Sequence, residues 1–378
     1  MKKVLVVFGT RPEAIKMAPV VKALQKINNK FNCKICITGQ HQEMLNPVLK
    51  LFNIKPDFNL NLMQTNQTLT DLTKNLLSSL EKIYLSWKPD LVLVHGDTTT
   101  AFSACLAAFY QKITVGHVEA GLRTNNIYSP WPEEMNRKFI DSIARFNFAP
   151  TKIAKENLLK ENIPKQKIYI TGNTVIDALQ EISKKIDQDV LLRNKLSSKY
   201  KFIDKNKKLI LVTGHRRENF GLGLNSICEA LVKISKIRND VQIVYPVHLN
   251  PNVQKPVRKI LSGLKNIYLI EPQEYLSFVY LMKKSFLILT DSGGVQEEAP
   301  MLKKPVLVMR QVSERVEALK KGNSILIGVN PKKIFRDTIN IIENSNKYRS
   351  MINTPYLYGK GLSSTIIAKI LKKNLKDF

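Results

Sequence analysis

Val92-Leu93-Val94-His95-Gly96-Asp97-Thr98-Thr99-Thr100 and Val115-Gly116-His117-Val118-Glu119-Ala120-Gly121-Leu122-Arg123-Thr124 each run apolar and then stop at a carboxylate among glycines and threonines. Short unbroken Val/Ile/Leu runs suit strands covered on both faces, and such strands belong to parallel sheets. Ligands of a parallel sheet bind outside the carboxyl ends of its strands. The abrupt stops therefore deliver Asp97 and Glu119 to the ligand side. Two acids brought to one crevice by neighbouring strands are equipment for acid–base catalysis.

The same pattern continues in both directions. Strands are expected at Lys3–Phe8, Cys33–Thr38, Leu91–His95, Ile113–Val118 and Phe146–Ala149, then at Lys208–Val212, Val241–Pro246, Ile267–Ile270, Phe286–Leu289, Val306–Met309 and Ile325–Gly328. Helical stretches separate them, which is the signature of βαβ units. A chain of 378 residues exceeds one ordinary core. The expected fold class is α/β, with two doubly wound Rossmann-like domains facing across a cleft. The join falls near Ile170-Thr171-Gly172-Asn173, ahead of a very polar Lys184–Lys208 segment.

Composition narrows the function. No apolar run reaches the ~20 residues of a membrane helix. Met1-Lys2-Lys3 and the apolar run behind it superficially resemble a signal peptide, but no small-residue cleavage site follows, so a first buried strand of a cytoplasmic protein is expected. Cys33 and Cys36 form C-x-x-C in an extended run, where an offset of three sends side chains to opposite faces. Buried apolar cysteines are expected there, and no metal site. The formal net charge of +28 invites a nucleic-acid reading. The lysines are spread along the chain without any nucleic-acid-binding motif, so no specific nucleic-acid partner is expected. The excess still favours an anionic substrate.

Several turns carry chemistry, each with a plainer alternative. Thr10 and Glu13 have capping-box spacing, and Pro12 suits a first helical turn. Free amides there, with Arg11 and Lys16 nearby, suit an anion, and Gly9 lets a ligand approach the backbone. Asp97 doubles as a candidate helix N-cap, whereas Glu119 caps nothing obvious. In Pro130-Trp131-Pro132-Glu133-Glu134, the two acids fall in a first helical turn, where they also favour the helix dipole. His215 and Arg216, in Thr213-Gly214-His215-Arg216-Arg217-Glu218-Asn219, are placed to bind and protonate a phosphate leaving group, or form a solvated basic loop. His248 is similarly placed. In Thr290-Asp291-Ser292-Gly293-Gly294-Val295-Gln296-Glu297-Glu298, the Ser292–Gly294 amides suit a diphosphate and Glu298 suits ribose hydroxyls. Pro300 is expected to end or kink that helix. The G-x-G-x-x-G fingerprint is absent in the right context, which disfavours an NAD enzyme.

Together these motifs resemble the bacterial non-hydrolysing UDP-N-acetylglucosamine 2-epimerases. The matching runs are Phe8–Lys16, His95–Thr98, His117–Thr124, Pro132–Glu134, Gly172–Thr174, Gly214–Asn219 and Asp291–Gly294, in order over nearly the whole chain. The resemblance implies a GT-B-like pair of domains, 1–171 plus 363–378 and 172–362, in a homodimer. It implies interconversion of UDP-GlcNAc and UDP-ManNAc through 2-acetamidoglucal, without added cofactor, for cell-surface polysaccharide synthesis.

By matched position, Asp97, Glu119 and Glu133 are the acid–base candidates, in an order over the two faces of C2 that the resemblance leaves open. His215 matches the histidine near the diphosphate. Arg11 and Lys16 match phosphate-side contacts. Ser292, Gly293, Gly294, Glu298, Arg315 and Phe278 match the nucleotide site. Gln40, Glu43, Arg216 and His248 match an allosteric second substrate site, but Asn66 replaces an arginine there. The run Met309-Arg310-Gln311-Val312-Ser313-Glu314-Arg315-Val316-Glu317-Ala318 lacks the family's proline and one aspartate, so weaker nucleotide affinity with retained activity is expected. The alternatives are a hydrolysing relative that releases UDP and ManNAc, a GT-B glycosyltransferase, and a basic nucleic-acid-binding protein.

Overall fold

The structure is a computed structural model that describes residues 1–27, 29–39, 42–63, 67–311, 315, 318–319, 322–374 and 376, with 42–44 described by backbone alone. Its compact units are Met1–Ala178 with Tyr358–Phe378, and Leu179–Leu357.

The first unit holds β1 (Lys2–Phe8), β2 (Phe31–Ile37), β3 (Phe58–Asn59), β4 (Leu91–His95), β5 (Thr114–Val118), β6 (Phe146–Ala149) and β7 (Ile168–Ile170). They pair in parallel in the order β3-β2-β1-β4-β5-β6-β7. The second unit holds β8 (Lys208–Thr213), β9 (Val241–Pro246), β10 (Ile267–Ile270), β11 (Leu287–Thr290), β12 (Val306–Val308) and β13 (Ser324–Leu326). Their order is β10-β9-β8-β11-β12-β13, again all parallel. Counted from each unit's own first strand, both sheets begin 3-2-1-4-5-6. That is the doubly wound order, whose ligand crevice opens where the winding reverses, between the first and fourth strands.

Register then aligns the loops that matter. His95 pairs with Val118, so Gly96-Asp97 and Glu119 leave the sheet side by side. Thr213 pairs with Thr290, so Gly214-His215 and Asp291-Ser292 do the same. Val4 to Phe8 and Leu91 to Val94 are fully buried. Each such aliphatic side chain contributes roughly 1.5–3 kcal/mol on leaving water. β3 and β7, which the sequence did not announce, are two and three residues long and lie at the sheet's edges. An edge strand is not covered like the centre, and Ile170 is exposed. Phe58-Asn59 and Ile168-Tyr169-Ile170 are also too short to stand out as runs.

Asp177 caps the Ser363–Lys373 helix from outside, accepting from Ser363 N (3.2 Å), Ser364 N (2.8 Å) and Ser364 Oγ (2.6 Å). These are donors a helix start leaves unsatisfied. The helix packs on the Arg11–Gln25 helix. All four cysteines are free. Cys36 is buried and Cys33 half-buried, and burial pushes both thiols up to about 12. Among the described residues, no helix is long and apolar enough to cross a membrane, and no cluster of His, Cys, Asp and Glu is placed to hold a metal ion.

Candidate active site

The turn after β1 is built on Glu13. Its Oε2 accepts from Gly9 N (3.0 Å) and Thr10 N (2.8 Å), and its Oε1 from the Thr98 hydroxyl (2.7 Å). One buried carboxylate thus closes the capping box and ties the β1 turn to the β4 turn. Burial raises its pKa, against the pull of these donors. Gly9 also has a packing reason of its own. A Cβ there would stand 2.2 Å from Thr38 Oγ1 and 2.6 Å from Thr100 Oγ1. The glycine makes room for that buried hydroxyl pair, which is itself bonded at 3.0 Å.

Asp97 is not a helix cap. Thr98 occupies that position for the Thr99–Tyr110 helix, its hydroxyl accepting from Ala101 N (3.0 Å). The Asp97 carboxylate, 27% exposed, instead pairs with Nη2 of buried Arg137. Its backbone carbonyl accepts from Asn136 Nδ2 (2.9 Å). Both partners lie on the Glu133–Ile143 helix. The adjacent acids on that helix divide in role. Glu134 is fully buried and accepts from Thr124 N and Asn125 N, both at 3.0 Å, and from Arg137 Nη1 at 3.2 Å. Glu133, half-buried, opens the helix.

Glu119 adopts a left-handed backbone, φ +72°. Such strain costs of order 1–3 kcal/mol and persists where the surroundings over-determine it. Here they do. Glu119 N and Ala120 N share the carbonyl of Phe148, each at 3.1 Å. Oε1 accepts from Lys16 Nζ (2.5 Å) and Asn173 Nδ2 (2.7 Å), while His95 Nε2 stands 3.5 Å from Oε2. Lys16, expected beside a phosphate, is therefore engaged with a carboxylate. Beneath them His117 meets Asp141 Oδ1 through Nδ1 (2.6 Å) and the Gly96 carbonyl through Nε2 (2.7 Å), linking the two acid-bearing turns. Asp141 also accepts from Gly121 N (3.2 Å) and Arg123 Nη2 (2.6 Å). Burial opposes its charge, but His117 and Arg123 outweigh that and hold its pKa below the ordinary value.

In the second unit Asp291 organises the turn after β8. Its Oδ2 accepts from His215 N (2.9 Å), Arg216 N (2.9 Å) and Asn219 Nδ2 (3.2 Å). The His215 ring stacks on His248, with centroids 5.5 Å apart. Partial burial lowers the His215 pKa. Arg216 and His248 add to that, and Asp291 opposes it.

Ser292 precedes the Gly293–Met301 helix, which ends one residue after Pro300. Arg315 is held by Glu297 (Nε to Oε1, 2.8 Å), and a Cβ on Gly293 would lie 3.3 Å from its Cζ. That glycine thus lets a buried guanidinium lie against a helix start, a favourable place for an anion. The Tyr275 hydroxyl donates to Glu298 Oε1 (2.6 Å), one turn before half-buried Phe278 on the Tyr275–Lys284 helix.

Within its own unit the structure gathers Arg11, Lys16, Asp97, Glu119 and Glu133 around the turns of β1, β4 and β5. In the other it gathers His215, Arg216, His248, Ser292, Gly293, Gly294, Glu298 and Arg315 around β8 and β11. Gln40 lies outside the described residues, as do the side chain of Glu43 and positions 66, 312–314, 316 and 317. Sequence reasoning assigned no role to His95, Asn173, Arg137, Tyr275 or Glu297. Their partners are far away along the chain or are ordinary helix positions, so no local pattern marks them.

Two parallel α/β units of one winding, with acids at one crevice and a glycine-arginine anion seat at the other, define an enzyme of the two-Rossmann-unit class. The family model described as UDP-N-acetylglucosamine 2-epimerase matches residues 22–372. A UDP-N-acetylglucosamine 2-epimerase of Escherichia coli O157:H7 is 54% identical over 372 residues, 98% of this chain and 99% of that protein. The crystal structure of UDP-GlcNAc 2-epimerase from Neisseria meningitidis bound to UDP-GlcNAc is 52% identical, covers 98% of this chain and 100% of its own, and superposes with a TM-score of 0.95. The S. aureus MnaA-UDP structure is 43% identical, with 100% and 98% covered and a TM-score of 0.91. The chain belongs to the UDP-N-acetylglucosamine 2-epimerase family, and it is an enzyme, an isomerase.

Proposed function

We propose that the chain interconverts UDP-GlcNAc and UDP-ManNAc without hydrolysis, for cell-surface polysaccharide synthesis. The C2 proton of the sugar is not acidic, so it leaves as the C1–oxygen bond breaks. A carboxylate takes the proton, the C–H pair becomes the C1–C2 double bond of 2-acetamidoglucal, and the C1–O pair departs with UDP. A proton returned to the opposite face of C2, with UDP re-added at C1, gives the epimer. Asp97, Glu119 and Glu133 share these proton transfers. Arg11 and Lys16 steady anionic groups. Ser292, Gly293, Gly294 and Arg315 take the diphosphate, Glu298 the ribose and Phe278 the uracil. His215 assists departure of UDP. Arg216 and His248 belong to a second substrate site.

The observation that carries this reading is Glu119. It is a strand-end acid held in a strained conformation by Lys16 and Asn173, beside a second acid, Asp97, on the next strand. The solved relative from Neisseria meningitidis binds UDP-GlcNAc. The reading includes a cytoplasmic homodimer. The support for the dimer is the set of exposed apolar side chains Leu85, Phe109, Tyr110 and Phe139 on three neighbouring helices. Incubation with UDP-GlcNAc in deuterated water tests the chemistry. UDP-ManNAc carrying deuterium at C2, without stoichiometric free sugar, is expected; free ManNAc with UDP indicates the hydrolysing reaction instead. Asp97→Asn, Glu119→Gln and Glu133→Gln each lose at least ~10²-fold in turnover, as acid–base groups do.

A further inference from the structure

We propose that Asp291 is a positioning residue for His215, holding the proton on Nδ1 so that Nε2 is the atom that serves the departing UDP. The proposal rests on the reading of His215 given above. Asp291 is fully buried. Its two oxygens differ. Oδ2 is saturated by three N–H donors, while Oδ1 is buried with no hydrogen-bond partner. The nearest charged partner of Oδ1 is His215 Nδ1, at 3.6 Å. A buried carboxylate oxygen left unbonded is costly, and such an exception calls for an explanation.

A movement of well under 1 Å closes that gap into an ordinary N–H···O bond. The loop is already gripped by Oδ2 at both His215 N and Arg216 N, and stacking on His248 confines the plane of the ring. What remains is a small rotation of the imidazole. With Nδ1–H committed to Asp291, only the imidazolium carries a proton on Nε2. That proton passes to a phosphate oxygen as the C1–O electron pair leaves with UDP, and the ring is left neutral with Nδ1–H still on Asp291. On re-addition the proton returns. A carboxylate behind an imidazole in this way fixes the tautomer and stabilises the cation without accepting the proton itself.

Asp291→Asn discriminates. Its amide oxygen keeps the backbone donors, but its NH₂ faces Nδ1 and reverses the tautomer. Turnover of Asp291→Asn, His215→Asn and the double variant is measured with UDP-GlcNAc. Asp291→Asn is expected to lower kcat by ~10²-fold or more, as removal of an acid–base group does. KM is expected to change little. If both act as one unit, the double variant falls within about threefold of His215→Asn alone.

The descending limb of the pH profile moves to lower pH in Asp291→Asn. Asp291 supplies the negative charge at the ring, while Arg216 and His248 both disfavour the cation. Losses that multiply in the double variant, or wild-type turnover in Asp291→Asn, overturn the proposal. Wild-type turnover in His215→Asn overturns the reading of the histidine, and the proposal with it. A wild-type measurement covers the case in which Asp291→Asn does not fold. The chain has five histidines. With ¹⁵N-histidine labelling, and His215 assigned by difference from His215→Asn, neutral His215 is expected to carry its proton on Nδ1. A proton on Nε2 overturns the proposal.

Discussion

Arg137→Met removes a guanidinium that is 4% exposed and keeps much of the aliphatic stem. Two carboxylates lose a partner, and they lose unequally. Glu134 is fully buried but retains Thr124 N and Asn125 N as donors. It loses the counter-charge and one hydrogen bond and keeps the two backbone donors. Asp97 is 27% exposed, so water replaces part of what it loses. Breaking a fully buried pair costs about 3–5 kcal/mol and an exposed one about 0–1. The site lies between, and a destabilisation of about 2–4 kcal/mol is expected. At roughly 2–4 °C per kcal/mol for units of this size, the melting temperature falls by roughly 5–15 °C.

The effect on turnover has a separate origin. Without Arg137 the Asp97 side chain is no longer aimed, and a misplacement near 1 Å costs about 10²-fold. Approach to the UDP-GlcNAc/UDP-ManNAc equilibrium, followed by NMR at saturating substrate and well below the melting temperature, isolates this. Arg137→Lys restores the charge but cannot fork to both acids. It is expected to recover stability better than turnover. Folded Arg137→Met that turns over within about threefold of wild type would refute the argument that this arginine aims Asp97.

Asp141→Asn strips the buried centre between His117 and Arg123 and loses about 3–5 kcal/mol near neutrality. Because the folded-state pKa of Asp141 lies below its ordinary 3.8, its contribution is fully present above that value and fades as pH falls through and below it. The gap between wild-type and Asp141→Asn urea midpoints therefore narrows below pH 3.8; a gap that stays constant through that range would count against the assignment. Gly9→Ala forces a methyl onto Thr38 and Thr100 and costs about 1–3 kcal/mol by overpacking. Adding Thr38→Ala and Thr100→Ala restores room, and thermal melts showing no recovery would mean that packing is not why the glycine is there.

The frame was legible because central parallel strands leave a strong mark. The observed bounds of β4, β6 and β9 are those expected from their apolar runs, as are those of β10 at a sheet edge. The placement of the strand-end acids Asp97 and Glu119 was legible for the same reason, since a carboxylate that ends such a run has one place to go. What holds the acids was not. Asn173 reaches Glu119 across 54 residues, Arg137 reaches Asp97 across 40, and Asp291 meets the amide of His215 across 76. Local periodicity carries no information over such spans. The packing need at Gly9 was not legible, because a bare Cα is silent about which neighbour needs the space. The left-handed backbone of Glu119 has no signal either, because glutamate has no special tolerance for it.

The two units put one topological slot to two uses. Asp97 follows the fourth strand of the first sheet, and Asp291 follows the fourth strand of the second, each just before the N-cap residue of the next helix, Thr98 and Ser292. Winding alone gives them the same address. Their surroundings separate them. Asp97 keeps a partly exposed carboxylate on one arginine, so it remains accessible to a substrate proton. Asp291 is sealed off, and three N–H donors occupy one of its oxygens. A sealed acid cannot exchange protons with a sugar, but it can fix the ring beside it. Under the proposed function, burial, more than position in the fold, thus separates an aspartate open to a substrate from one that can only align its neighbour.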